Sequence, residues 1–292
     1  MRHRAALIAA FGLSGMMLAG SASADVIYDN LTTNNMIGVA TRPSTSGSFE
    51  IEAGDDFVAS TPVSITSASF IGLVVQGSSA PTVQDVTLEI YRIFPNDSDV
   101  GRTSGPPTFS TSQVPTRVNS PADVAFETRD SAAVGELTFK MTVLDPTFTS
   151  PNSIQPGGIH LTTGGNGPIT GQEVEFDVTL TTPFDLPADH YFFVPQVGLS
   201  NGAEFYWLSA PRPVTFPPGF TDLQAWTRDA MLDPDWLRVG TDIVGGTTFN
   251  TAFSLNGNAV PEPASTVVII IGLGYIGYRR WRLVRSGRFP RV

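Results

Sequence analysis

The densest mixture of aromatic and charged side chains lies at Tyr206-Trp207, at Trp226-Thr227-Arg228-Asp229, and from Asp233 to Arg238 around Trp236. Sugars are held by aromatic faces under their C–H groups, with carboxylates and guanidinium groups bonding the hydroxyls. Trp226, Asp235, Trp236 and Arg238 are therefore the candidate glycan-binding set. The competing reading is that the two tryptophans pin a long loop onto the body. Asn96-Asp97-Ser98-Asp99-Val100-Gly101 offers oxygens at alternate positions before a glycine. That spacing suits a hard cation such as calcium, with Asp97 and Asp99 as ligands, although the distant bidentate glutamate of an EF-hand loop is missing. Asp55-Asp56 and Asp233-Pro234-Asp235 are further acid pairs of the kind that turns use.

Other patterns match catalytic motifs only in part. Gly198-Leu199-Ser200-Asn201-Gly202 fits G-x-S-x-G, but a nucleophile elbow needs a following helix and a later histidine. Strand-like residues follow instead, no histidine occurs after His190, and Asn-Gly is a hairpin turn signal. His160 and His190, the histidines of the body, lack the spacing of a zinc site. Glu173, Glu175 and Asp177 lie on one face of one strand, whereas a retaining glycosidase pairs carboxyls about 5–5.5 Å apart. They read as a solvent-facing strand edge guarded against pairing. Gly272-Leu273-Gly274-Tyr275-Ile276-Gly277 spells G-x-G-x-x-G without the acidic residue that a dinucleotide site needs downstream. No catalytic residue is expected.

The elements that would position these groups are strands. Val86, Leu88 and Ile90 alternate with Thr87, Glu89 and Tyr91. Leu137 to Val143 and Val174 to Leu180 alternate in the same way, and Phe249 to Leu255 more weakly; each predicts a strand with one buried face. Runs at Phe49–Phe57, Val63–Val75, Tyr191–Val197 and Ala203–Leu208 are strand-like in β-branched and aromatic content. Helical periodicity is confined to short stretches such as Thr221–Leu232, expected to form a turn or two of helix on a loop. Long loops are expected at Pro95–Val134 and Pro146–Gly171. The fold class is all-β, an antiparallel, jelly-roll-like β-sandwich in one domain. The 28 glycines and 23 prolines agree with a turn-rich chain.

Of the 292 residues, those between Asp25 and Val260 include 26 acidic and nine basic side chains. A body this acidic repels phosphate backbones, which disfavours nucleic acid as a partner. There is no cysteine, so disulfides, thiolate metal sites and thiol catalysis are excluded.

The two ends read as addresses. Arg2 and Arg4, the apolar run Ala5–Gly20 and Ala22-Ser23-Ala24 have the order of a secretory leader, residues 1–24, with Asp25 as the mature start. At the other end Pro261-Glu262-Pro263 forms a rigid, extended segment. The uncharged stretch 264–278 follows, roughly 22 Å long as a helix at about 1.5 Å per residue. Arg279, Arg280, Arg282 and Arg285 come next and predict a cytoplasmic tip with the body facing outward. The span is short for a membrane core of about 30 Å, a gap that arginine snorkelling and local thinning would close. Residues 25–258 are then the ectodomain, and 259–292 the tail with its single transmembrane helix.

The ordered triplet of Pro-Glu-Pro, short span and arginine cluster resembles the sorting signal of PEP-CTERM proteins. The resemblance implies an exosortase-type processing enzyme as partner, and an association with exopolysaccharide and biofilm. The body is similar, more diffusely, to choice-of-anchor ectodomains. Tyr28-Asp29-Asn30, Asp55-Asp56-Phe57 and Pro234-Asp235-Trp236-Leu237-Arg238-Val239-Gly240 carry that likeness. The expectation is an exported, non-catalytic protein of the cell surface or extracellular matrix, with glycan binding as its candidate activity. An extracellular carbohydrate-active hydrolase and a membrane-anchored structural subunit of a surface assembly are the alternatives.

Overall fold

Alternating β-branched and aromatic residues pair here into two sheets. The computed structural model describes residues 24–44, 49–77, 80–102, 114–133, 135–155, 163–212, 216–246, 248–260 and 275. Pro261, Glu262 and Pro263, the four tail arginines, the span apart from Tyr275, residues 1–23 of the leader and His160 lie outside them. Among the described residues no helix is long and apolar enough to cross a membrane.

The first strands are β1 (Asp25–Asp29), β2 (Gly38–Ala40), β3 (Ile51–Ala59), β4 (Val63–Val75) and β5 (Val83–Arg92). Then come β6 (Glu127–Asp130), β7 (Leu137–Ser150), β8 (Ser153–Ile154), β9 (Ile169–Leu186) and β10 (Asp189–Leu199). The last are β11 (Glu204–Ala210), β12 (Trp226–Asp229), β13 (Leu237–Arg238), β14 (Asn250–Thr251) and β15 (Phe253–Ala259). The larger sheet follows the path β1-β15-β4-β11-β2-β8, with β14 on β11, β9 on β4 and β7 outside β9. The smaller runs β13-β12-β3-β10-β5-β6. Apart from the parallel pair β2–β8, the strand pairs are antiparallel.

The expected β-sandwich is present, and its core lies between the sheets. Phe193 of the smaller sheet stacks on Phe253 at 5.2 Å and meets Trp207 edge-on at 6.0 Å. Phe70 and Phe176, opposite one another on β4 and β9, stack at 5.1 Å. Phe205 is wedged so closely over Gly72 that a Cβ there would lie 2.3 Å from its ring, which leaves only glycine at that position. Where the chain passes from β14 to β15, Ala252 donates to the Leu208 carbonyl and accepts from Ile71 N–H at 3.2 Å. The Trp207 indole also donates to that Ala252 oxygen, at 2.9 Å, so the strand changes neighbours without leaving the carbonyl unpaired.

Two expectations need correction. Thr221–Leu232 is not helical: Trp226–Asp229 is strand β12, paired with Gly54 to Ile51 of β3. Its local pattern is overridden by a partner far away in sequence. The supposed loop Pro146–Gly171 is strand at both ends, because β7 runs on to Ser150 through register shifts around Asp145 and Phe148. β7 pairs only with β9, and an outer strand tolerates the missing N–H of Pro146.

The smaller sheet is buried on both faces. All nine residues of β3 are buried. The loops after β5 and before β13 fold over its outer side and form a second core of Tyr91, Ala122, Phe192, Val194, Leu223, Trp226 and Trp236. Replacing Phe193 by alanine should destabilise the fold by about 3–5 kcal/mol. Met231→Ser, at a residue 77% exposed, should stay within about 0.5 kcal/mol by denaturant unfolding.

Candidate functional site

On the covered outer face, Glu52 from β3, Tyr91 from β5 and Arg228 from β12 converge. The Arg228 guanidinium donates from Nε to Glu52 Oε2, and from Nη2 to Glu52 Oε1 and the Tyr91 hydroxyl, each at 3.0 Å. Its Nη1 bonds the carbonyls of Asp123 and Pro234, one from each covering loop, at 3.0 and 3.1 Å. Its plane lies 4.4 Å from the Trp236 ring centre. Both ends of this ion pair are buried, with side chains only 6% and 4% exposed. Tyr91 completes it, donating to Glu52 Oε1 at 2.5 Å. A second ion network ties the loops together. Arg117 and Arg102 bind Asp123, and Arg102 also reaches Asp235 at 3.2 Å.

Glu89 borders this cluster, 3.2 Å from the Tyr91 hydroxyl. Burial first, then the charges of Glu52 and Glu50, push its carboxyl up to about 8. Two glutamates on different strands in such different environments are the elements of an acid–base pair. Here, however, the Tyr91 hydroxyl stands between them, and Glu52 has its oxygens occupied by Arg228 and Tyr91. The arrangement clamps two loops to a sheet and leaves no place for a reacting bond.

A third group lies along β3. Asp56 Oδ2 meets His190 Nε2 at 2.6 Å, and its Oδ1 accepts from Leu223 N–H at 3.0 Å. Burial lowers His190 to about 4, which favours the neutral imidazole. Asp55 faces the other way and accepts from Thr251 N–H at 2.6 Å and from its hydroxyl at 3.1 Å. Burial holds both aspartates well above the usual carboxylate range, reinforced by Asp56 for Asp55 and by Asp222 for Asp56.

The four residues proposed for glycan binding are brought close together, but with their ring faces covered. Trp226 and Trp236 are 1% and 2% exposed, and their indoles donate to the Leu223 and Ala122 carbonyls. Asp235 is held by Arg102, and Arg238 by Asp242. The tryptophans pin loops, and the sugar-binding role at these positions is corrected accordingly. Asp97 and Asp99 do not form a calcium loop either. Both Asp97 oxygens accept from Arg92, and Asp99 Oδ1 accepts from Gly101 N–H at 2.9 Å. Among the described residues no group of three or more His, Cys, Asp or Glu side chains is arranged to hold a metal. Glu173, Glu175 and Asp177 do face outward, but from a strand flanked by β4 and β7 and not from an edge. Gly198–Gly202 forms a tight turn, with Asn201 and Gly202 at φ of 61° and 69°, but not the expected hairpin: β10 belongs to the smaller sheet and β11 to the larger, so the turn carries the chain from one sheet to the other.

Sequence reasoning missed Glu52, and it noted Arg228 only within the aromatic-rich stretch around Trp226, without its partner. The alternation in β5 did place Glu89 and Tyr91 on one face, but it carried no signal that a loop would close over them. Comparison with known proteins finds no matching family model, no similar curated protein and no similar solved structure.

Arg228→Met leaves a buried carboxylate unpaired and should cost about 3–5 kcal/mol, with the double variant Arg228→Met/Glu52→Gln recovering a large part in denaturant unfolding. Glu89 is raised on folding, so its stabilisation is complete below its ordinary value of 4.5 and is lost as pH rises through about 8. Glu89→Gln should therefore gain in melting temperature over wild type as pH goes from 5 to 9; a constant difference would contradict the shift.

Proposed function

We propose that this chain is an exported, non-catalytic surface protein. On this reading its leader is removed before Asp25, and its tail is sorted by an exosortase-type enzyme. The body then serves in the exopolysaccharide matrix, at first anchored through the tail helix. The observation that carries this is the placement of the two ends of the folded body. Strand β1 starts at Asp25, directly after the expected cut, and pairs with β15, Asp25 opposite Gly257. β15 ends at Ala259, two residues before Pro261. On this reading both addresses would leave the body side by side, and neither cut would require the sandwich to open.

The crossing of the chain from sheet to sheet, β3 to β4 to β5 and β9 to β10 to β11, supports a jelly-roll-like wrapping. A large core without cysteine suits export, since no pairing of thiols has to be completed outside the cell. The internal use of Glu52, His190 and both buried tryptophans favours a scaffold over a hydrolase.

Fractionation of cells expressing wild type and a Pro261-Glu262-Pro263 deletion tests this reading. Wild type should lose the arginine-rich peptide, and the deletion should stay in the membrane at full length. Full-length wild type in the cytosol with its leader intact would overturn it.

A further inference from the structure

A cleft of about 370 Å³ opens at the end of the sandwich where two segments pass between the sheets. One is the tight turn from β10 to β11. The other continues β2 as Arg42 and Pro43, where Arg42 bridges to Ile51 of β3. The volume falls within the ~300–1,000 Å³ typical of small-molecule sites.

Its walls mix three chemistries. Arg42 Nη1 is paired with Glu204 Oε1 across the cleft wall, which makes the pair neutral overall. The second Glu204 oxygen is buried out of reach of solvent and has no protein partner. The Gln84 amide is exposed and makes no side-chain hydrogen bond among the described residues, leaving both a donor and an acceptor free. The Asn201 amide nitrogen is committed to the Ala80 carbonyl at 3.3 Å, which fixes the turn and leaves its oxygen as an acceptor. Leu199 adds apolar surface, with Val197 and Ala203 buried behind the wall. Next to the cleft, Phe49 is 39% exposed, its ring 5.1 Å from the Arg42 guanidinium and its carbonyl accepting from Arg42 Nε.

Paired charge, free amide and carbonyl groups, apolar patches and an exposed aromatic ring together match a ligand that is hydroxylated on its rim and apolar on its faces. The lining arginine is already neutralised, and the body is strongly acidic, so an anionic ligand would be repelled. We propose that this cleft binds a neutral saccharide, at a chain end or short branch, with Phe49 as the stacking ring and Gln84, Asn201 and the Arg42–Glu204 pair as hydroxyl partners. The site lies far from the end of β15, where the described body ends. Ala259 is opposite Val63 at the start of β4, and Glu204 is opposite Val75 at its end, about 40 Å away at ~3.3 Å per residue. A body standing on its tail would present the cleft outward. Only this last point rests on the surface-protein reading; the binding itself is independent of it.

The test is calorimetric titration of the purified full-length chain with short oligosaccharides of glucose, galactose and mannose, and with an oligouronate as the anionic probe. Saturable binding of at least one neutral oligosaccharide is expected. Gln84→Trp, which fills the cleft mouth from an exposed strand position, should weaken it roughly tenfold or more, and Phe49→Ala should weaken it too, both with unchanged melting temperature. Binding that both variants leave intact, binding of the uronate alone, or no saturable binding would each overturn the proposal. None of these outcomes bears on the fractionation result, so the two readings fail separately.

Discussion

A carboxylate removed from water has to be met by a donor, and β3 carries three of them, Glu52, Asp55 and Asp56, through a sheet that is covered on both sides. Their side chains alternate across the strand. Asp55 is therefore answered from the larger sheet, by Thr251, while Asp56 and Glu52 are answered on the outer side, by Leu223 of a covering loop, His190 of β10 and Arg228 of β12. Each answer fixes a segment that would otherwise have no reason to lie where it does. The partners of Glu52 and Asp56 tie β12 and the covering loops to the sheet, while Asp55 keeps one oxygen, Oδ1, without a partner.

This explains how a cysteine-free chain holds such long connections in place. The covering loops are tied to the sheet by arginines that bond carbonyls and carboxylates together, with aromatic rings stacked against the guanidinium groups. Buried ion pairs contribute little net stability compared with apolar packing, but they are unforgiving of a missing partner. Their role here is to specify one loop arrangement, with Phe70, Phe193, Trp207 and Phe253 supplying the bulk of the burial.

The sandwich was legible where one face is wet. β9 alternates because Glu175 and Asp177 meet solvent while Val174, Phe176 and Val178 meet the core. β4 was visible over its whole length from β-branched content. β12 was invisible, because four residues with two charges become a strand only beside β3. The same blindness hid the clamp: Arg228 and Glu52 lie far apart in sequence, and nothing local marks them as partners. For Trp226 and Trp236, residue types that suit a sugar site equally suit a loop anchor. Only burial separates the two. The cleft beside Arg42 has no sequence pattern, since its lining comes from three separate stretches of chain.

Strand β4 also has a mechanical side. It is hydrogen-bonded to β15 along its first part and to β11 along its last, with β9 alongside nearly throughout. A pull on the tail, resisted by something gripped at the opposite end, would run lengthwise down this strand. Its ladder would be loaded in shear, many rungs sharing the force at once. β1 and β15, whose outer ends lie together, would instead peel apart one rung at a time. Loaded this way, the described body would resist along β4 and yield first where β1 pairs with β15.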